Sequence, residues 1–102
     1  MSVRIVQGKM TVGDVGAQAE ITTDVTLTGK DIDILLIKPS GATLLTDTAV
    51  LGDVATYTST SGQIDEEGLY SAMLLNVTDG YWFAGAVNWP VNPDPRNMAR
   101  AR

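Results

Sequence analysis

Cysteine and histidine are both absent from the 102 residues. Without them the chain has no disulfide, no thiolate or imidazole metal ligand, no Ser-His or Cys-His nucleophile pair and no imidazole base. Neither enzymatic activity nor a cofactor is expected. Basic residues are also scarce: seven lysines and arginines stand against 12 acidic residues, a net charge of −5 with an isoelectric point near 4.3. A body of that sign repels a phosphate backbone, so nucleic acid is not an expected partner. No apolar run approaches the ~20 residues of a membrane-spanning helix, and no membrane partner is expected. With 44% hydrophobic and 19% charged residues, the composition is not that of a disordered chain. Residues 1–7 lack the apolar core and small-residue cleavage site of a signal peptide, so synthesis in the cytoplasm is expected.

The chain is rich in β-branched residues. Thr, Val and Ile together supply 28 of the 102 positions, which favours pleated, half-buried surfaces over helices. Strand-like runs lie at 3–7, 18–24, 31–38, 42–46, 54–60, 69–78 and 81–91, separated by clusters of Gly, Pro, Asp and Ser. Their spacing predicts an all-β antiparallel sandwich of about seven strands over residues 1–91, followed by an extended arm over 92–102. Lys38-Pro39-Ser40-Gly41 reads as a turn, and Asp79-Gly80 as a two-residue type I′ hairpin pairing the last two strands antiparallel.

Side chains two apart on a strand share a face. Ile32, Ile34 and Leu36 should therefore enter the core while Asp31 and Asp33 face water. In 69–78, Tyr70, Ala72 and Leu74 share one face, yet Leu69, Met73, Leu75 and Val77 make the other face apolar as well, so this strand should be covered on both sides. In 81–91, Tyr81, Phe83, Val87, Trp89 and Val91 lie on one face and Trp82, Ala84 and Ala86 on the other. Such a hairpin carries more apolar surface than one sheet face buries. It either contacts another chain or is a central pair beneath long loops.

Glu66, Gly68 and Tyr70 are spaced as in the tyrosine corner of immunoglobulin-like sandwiches, where the hydroxyl returns to upstream backbone. Ala72 stands where an antibody domain has its second Cys, and the run that would hold the antibody-type Trp has Leu35 and Leu36. The expected architecture is immunoglobulin-like without the antibody hallmarks.

Among polar constellations, Asp31 with Asp33 and Asp65-Glu66-Glu67 lack the spacing of a calcium loop and read as solvated strand edges and loops. Gly13-Asp14-Val15-Gly16 has no following Gly-Lys-Ser/Thr and reads as an inter-strand loop. Tyr81, Trp82 and Trp89 are assigned to core or subunit packing, with a sugar-stacking platform for a host-surface glycan as the alternative. The segment from Trp89 to Pro95 has three prolines, enough to stop a ladder and run extended. Beyond it, Arg96, Met98, Arg100 and Arg102 form either a frayed terminus or an arm that orders on a partner, Met98 as apolar contact and the arginines pairing with acidic groups. Residues 94–102 carry +2, against −7 for residues 1–93.

The order Gly13-Asp14-Val15-Gly16-Ala17, Val25-Thr26-Leu27-Thr28-Gly29, Ile34-Leu35-Leu36-Ile37-Lys38-Pro39-Ser40-Gly41, Val54-Ala55-Thr56-Tyr57-Thr58 and Glu67-Gly68-Leu69-Tyr70 resembles the small immunoglobulin-like domains of tailed-bacteriophage virion proteins. It is similar to the N-terminal domain of phage upper baseplate proteins, and the resemblance covers residues 11–78. It implies a non-enzymatic structural component of a virion, contacting other virion proteins and copies of itself. Baseplate proteins of that type continue into receptor-binding or coiled-coil segments, whereas this sequence stops at Arg102. The expectation therefore moves to a tail, neck or baseplate adaptor or accessory protein. A capsid decoration protein and a stand-alone carbohydrate-binding module are the alternatives.

Overall fold

Alternating apolar and polar side chains produce ten strands in the computed structural model, which describes residues 1–94. They are β1 (Ser2–Ile5), β2 (Met10–Thr11), β3 (Gln18–Thr22), β4 (Ile32–Ile37), β5 (Thr43–Asp47), β6 (Ala49–Leu51), β7 (Val54–Thr58), β8 (Gly68–Asn76), β9 (Tyr81–Trp82) and β10 (Val87–Asn92). One sheet has the order β1-β3-β7-β6; the other has β2-β10-β8-β4-β5, with β9 also on β8. All pairs are antiparallel except β2 with β10. Labelled as in an immunoglobulin domain, the first sheet is A-B-E-D and the second holds G-F-C-C′, so the chain is an immunoglobulin-like β-sandwich.

The inner faces interdigitate. Ile21 and Tyr57 of the first sheet meet Ile34, Leu36, Tyr70, Leu74 and Trp89 of the second in one buried cluster, and each of these aliphatic side chains contributes roughly 1.5–3 kcal/mol by leaving water. Ile32, Ile34 and Leu36 are buried as their alternation requires.

Three strands more than the expected seven are present, each for a local reason. β2 is too short to show a period. β6 follows β5 with only Thr48 between, because the chain crosses from the second sheet to the first instead of turning back. Thr48 anchors the crossing, its N–H (3.2 Å) and Oγ1–H (2.6 Å) both donating to the Ile32 carbonyl. The run 81–91 splits because Trp82 pairs with Leu75 while Val87 pairs with Ala72, which loops out two extra residues around Gly85 (φ 88°). An insertion of two preserves parity, so Phe83, Val87, Trp89 and Val91 still share the core face.

The turn at Asp79-Gly80 is also corrected. Asn76 pairs with Tyr81, leaving a four-residue loop, and only Gly80 has positive φ, whereas a type I′ turn requires it at both central residues. Asn76 sets this geometry: its Oδ1 accepts the Asp79 N–H at 2.9 Å, and its carbonyl accepts the Gly80 N–H at 2.8 Å. Nor does the proline-rich segment stop the ladder at once. Pro90 sits inside β10 opposite Leu69, and β2 meets that strand only at Val91 and Asn92, so the missing N–H falls where no acceptor is presented.

Candidate docking face

The tyrosine corner forms. Tyr70 Oη donates to the Glu66 carbonyl at 3.0 Å and accepts the Glu66 N–H at 3.1 Å. Burial raises the phenol above its ordinary range. Around it, the Lys38-Pro39-Ser40-Gly41 turn is bolted to the acidic segment 65–67: Lys38 Nζ to Asp65 Oδ1 at 2.7 Å, Ser40 N–H to Glu66 Oε1 at 2.9 Å and Ser40 Oγ to Glu66 Oε2 at 2.7 Å. Lys38 holds the Asp65 carboxyl below its usual range. Two of these three carboxylates are thus structural, tying one pole of the sandwich together.

The two outer faces differ in chemistry. On the first sheet the outward row is Arg4, Glu20 and Thr56, with Arg4 Nε donating to Glu20 Oε1 at 2.9 Å and Gln18 bonding Thr58 nearby. On the second sheet the register aligns Leu75 with Trp82 on one side and Asp33 on the other, then Met73 with Leu35 and Leu45. Leu45 is 51%, Leu69 58% and Trp82 47% exposed, while Leu35, Met73 and Leu75 are half-buried. The outer face of β8 therefore carries an apolar ridge over Met73 and Leu75, separated from Leu69 by Ser71, which bonds Asn88 at 2.7 Å. The expectation that this strand is covered on both sides does not hold within the described residues, because Leu45, Leu69 and Trp82 on that face stay about half exposed.

At one end of the ridge lie three carboxylates. Asp31, Asp33 and Asp47 bring one oxygen each within 4.8 Å of the others. Asp33 and Asp47 are directly opposed across β4 and β5, an arrangement that costs stability for like charges. Asp33 Oδ1 has neither solvent access nor a hydrogen-bond partner. Burial first, then the Asp47 carboxyl and the Asp31 charge, raises the Asp33 carboxyl above its usual range. The sequence pairs Asp31 with Asp33 by alternation; Asp47 joins them only through the β4–β5 register, which no local pattern reveals.

The aromatic residues separate. Trp89, 2% exposed, is a core residue, stacked on Tyr70 at 6.5 Å between centroids, and is corrected from the set of partner contacts. Tyr81 and Trp82 are both about half exposed but neighbour each other on β9, so they point to opposite faces, and Tyr81 packs on Phe83 at 5.4 Å. They form no common stacking platform. Trp82 alone belongs to the apolar ridge. Arg96, Met98, Arg100 and Arg102 lie outside the described residues. Comparison of the chain with protein-family models and with curated proteins gives no match.

Proposed function

We propose that this chain is a non-enzymatic structural component of a tailed-phage virion, a tail, neck or baseplate adaptor or accessory protein that assembles by repeated protein–protein contacts. The observation that carries the assembly part is the apolar surface left open on the outer face of the second sheet, where Leu45 and Trp82 stay about half exposed beside Leu35, Met73 and Leu75. A ridge of that kind on a small domain is the mark of a contact surface. The virion part rests on the resemblance, whose Lys38-Pro39-Ser40-Gly41 and Glu67-Gly68-Leu69-Tyr70 motifs meet at one pole through the Tyr70 corner and the Glu66 bonds.

The grooves fit this reading better than they fit a reaction. One of about 210 Å³ lies between Val12, Asp65, Glu67, Pro93 and Asp94, and one of about 240 Å³ lies along Asp14, Val15 and Gly16. Both fall below the ~300 Å³ at which small-molecule pockets begin. Capsid decoration is the same class of role at a different place in the particle. The test is whether the chain is built into purified particles at a fixed copy number.

A further inference from the structure

β5 is the outer strand of its sheet and hands the chain to β6 through Thr48 alone, so the end of the β4–β5 ladder decides how firmly that crossing is held. The bonds that hold it run from Thr48 to the Ile32 carbonyl, from N–H at 3.2 Å and from Oγ1–H at 2.6 Å. Pairs alternate along an antiparallel ladder, which makes the next pair, Asp33 with Asp47, a non-hydrogen-bonded one. Side chains approach closest in such pairs, whose Cα atoms stand about 4.5 Å apart. Two carboxyls thus meet one residue from the crossing.

No cation among the described residues faces them. Asp33 Oδ1 is shielded from solvent and has no hydrogen-bond partner. From β8 it faces Leu75, itself paired with Trp82 of β9, while the titratable Tyr81 points to the other side of that strand. From the loop before β4 comes a third carboxyl, Asp31, with one oxygen within 4.8 Å of those of Asp33 and Asp47. Lys30, beside it in the chain, has its ammonium on Asp79 at 3.0 Å. Arg4 is on Glu20, Lys38 is on Asp65, and Lys9 adjoins β2 at the opposite edge of the sheet. Ionised carboxylates only accept, so a donor between Asp33 and Asp47 has to be a proton on one of them. Burial first, and then a hydrogen bond with Asp47, holds the Asp33 carboxyl above its usual range.

We propose that Asp33 and Asp47 form a proton-operated latch on the crossing from β5 to β6. One proton taken from solvent makes a carboxyl–carboxylate hydrogen bond that closes the pair. With none, the like charges repel, and the end of the ladder opens more often, freeing Thr48 from the Ile32 carbonyl. The proton belongs to the pair and not to either residue. Leu45 lies two residues before Asp47 on the same outer strand, so the latch also sets how firmly this exposed apolar edge is held.

The experiment is amide hydrogen exchange of the full chain at low urea, expressed as protection factors, beside the side-chain carboxyl carbon shifts from NMR. From roughly pH 4 to pH 8, Thr48 protection should fall about tenfold or more, since each unit by which the pair is raised is a tenfold change in closure. Its exchange should be insensitive to urea, as for a local opening, whereas amides of the β3–β7 ladder should follow global unfolding. The Asp33 and Asp47 carboxyl carbons should move together. Asp33→Asn and Asp47→Asn each leave a neutral amide that donates to the remaining carboxylate, and should abolish the pH step. Asp31→Asn removes a neighbouring charge outside the pair, and should keep the step but move it to lower pH. Carboxyls that titrate separately in the ordinary Asp range, a Thr48 amide that exchanges only by global unfolding, or a step that survives in both Asn variants overturns the latch. Titration below the ordinary range overturns it too, because a cation from outside the described residues would then hold the charges.

Discussion

Tyr70 Oη and the backbone of Glu66 exchange two hydrogen bonds, at 3.0 and 3.1 Å, across the entry to β8. A ring in the core and a hydroxyl on upstream backbone fix where β8 starts and hence its register against β4 and β10. Tyr70→Phe keeps the ring and strands both Glu66 groups. It should lower stability by about 1–2 kcal/mol, read as a lower urea midpoint at unchanged slope.

Gly68 lies two residues before that tyrosine, at φ 122°, and a Cβ there would sit 2.9 Å from Pro39 Cγ. Gly62, at φ 81°, has open space around the same position. Gly62→Ala should cost about 1–2 kcal/mol from backbone strain alone. Gly68→Ala adds overpacking against a rigid ring and should cost a further 1–3 kcal/mol or so. Paired urea titrations measure the difference; equal losses would remove the role given to Pro39.

Asp33 gives a pH signature. Its folded carboxyl titrates above the unfolded value, so between the ordinary Asp range and its raised value the folded state binds more protons and stability falls as pH rises. The penalty persists above that window, while the carboxylates stay charged. Asp33→Asn should therefore raise the thermal midpoint at pH 7, with the gain vanishing below about pH 4. A variant that is less stable at neutral pH would mean that Asp33 is already satisfied.

Much of this fold is legible in the residues, and the reason is parity. The core faces of β4, β8 and β10 follow from alternation, even across the break at Gly85, because two inserted residues leave the faces unchanged. The tyrosine corner is legible because its residues are local in sequence. What escapes is set by partners distant in sequence. β2 exists only through its pairing with β10, and Asp47 reaches Asp33 only through strand register; β6, by contrast, pairs locally with β7 but is too short to show a period. The four-residue turn depends on the side chain of Asn76, which competes with the Asp79-Gly80 signal.

The two tryptophans report on different surfaces. Trp82→Phe should leave one buried emitter, shift emission to the blue and remove most of the acrylamide quenching; Trp89→Phe should do the reverse. Because Tyr81 and Trp82 face apart, polysaccharide titration should leave wild-type emission unchanged. A saturable shift abolished by Trp82→Phe would favour a glycan-binding module.

The proposed role requires membership of a particle. Quantitative mass spectrometry of tailed-phage particles purified from the source, scaled to the major capsid protein, measures it directly. A tail, neck or baseplate component should be present at a fixed, low copy number set by ring symmetry. Near-stoichiometric abundance would move it to the capsid surface as a decoration protein, and its absence from purified particles would contradict the proposed virion role.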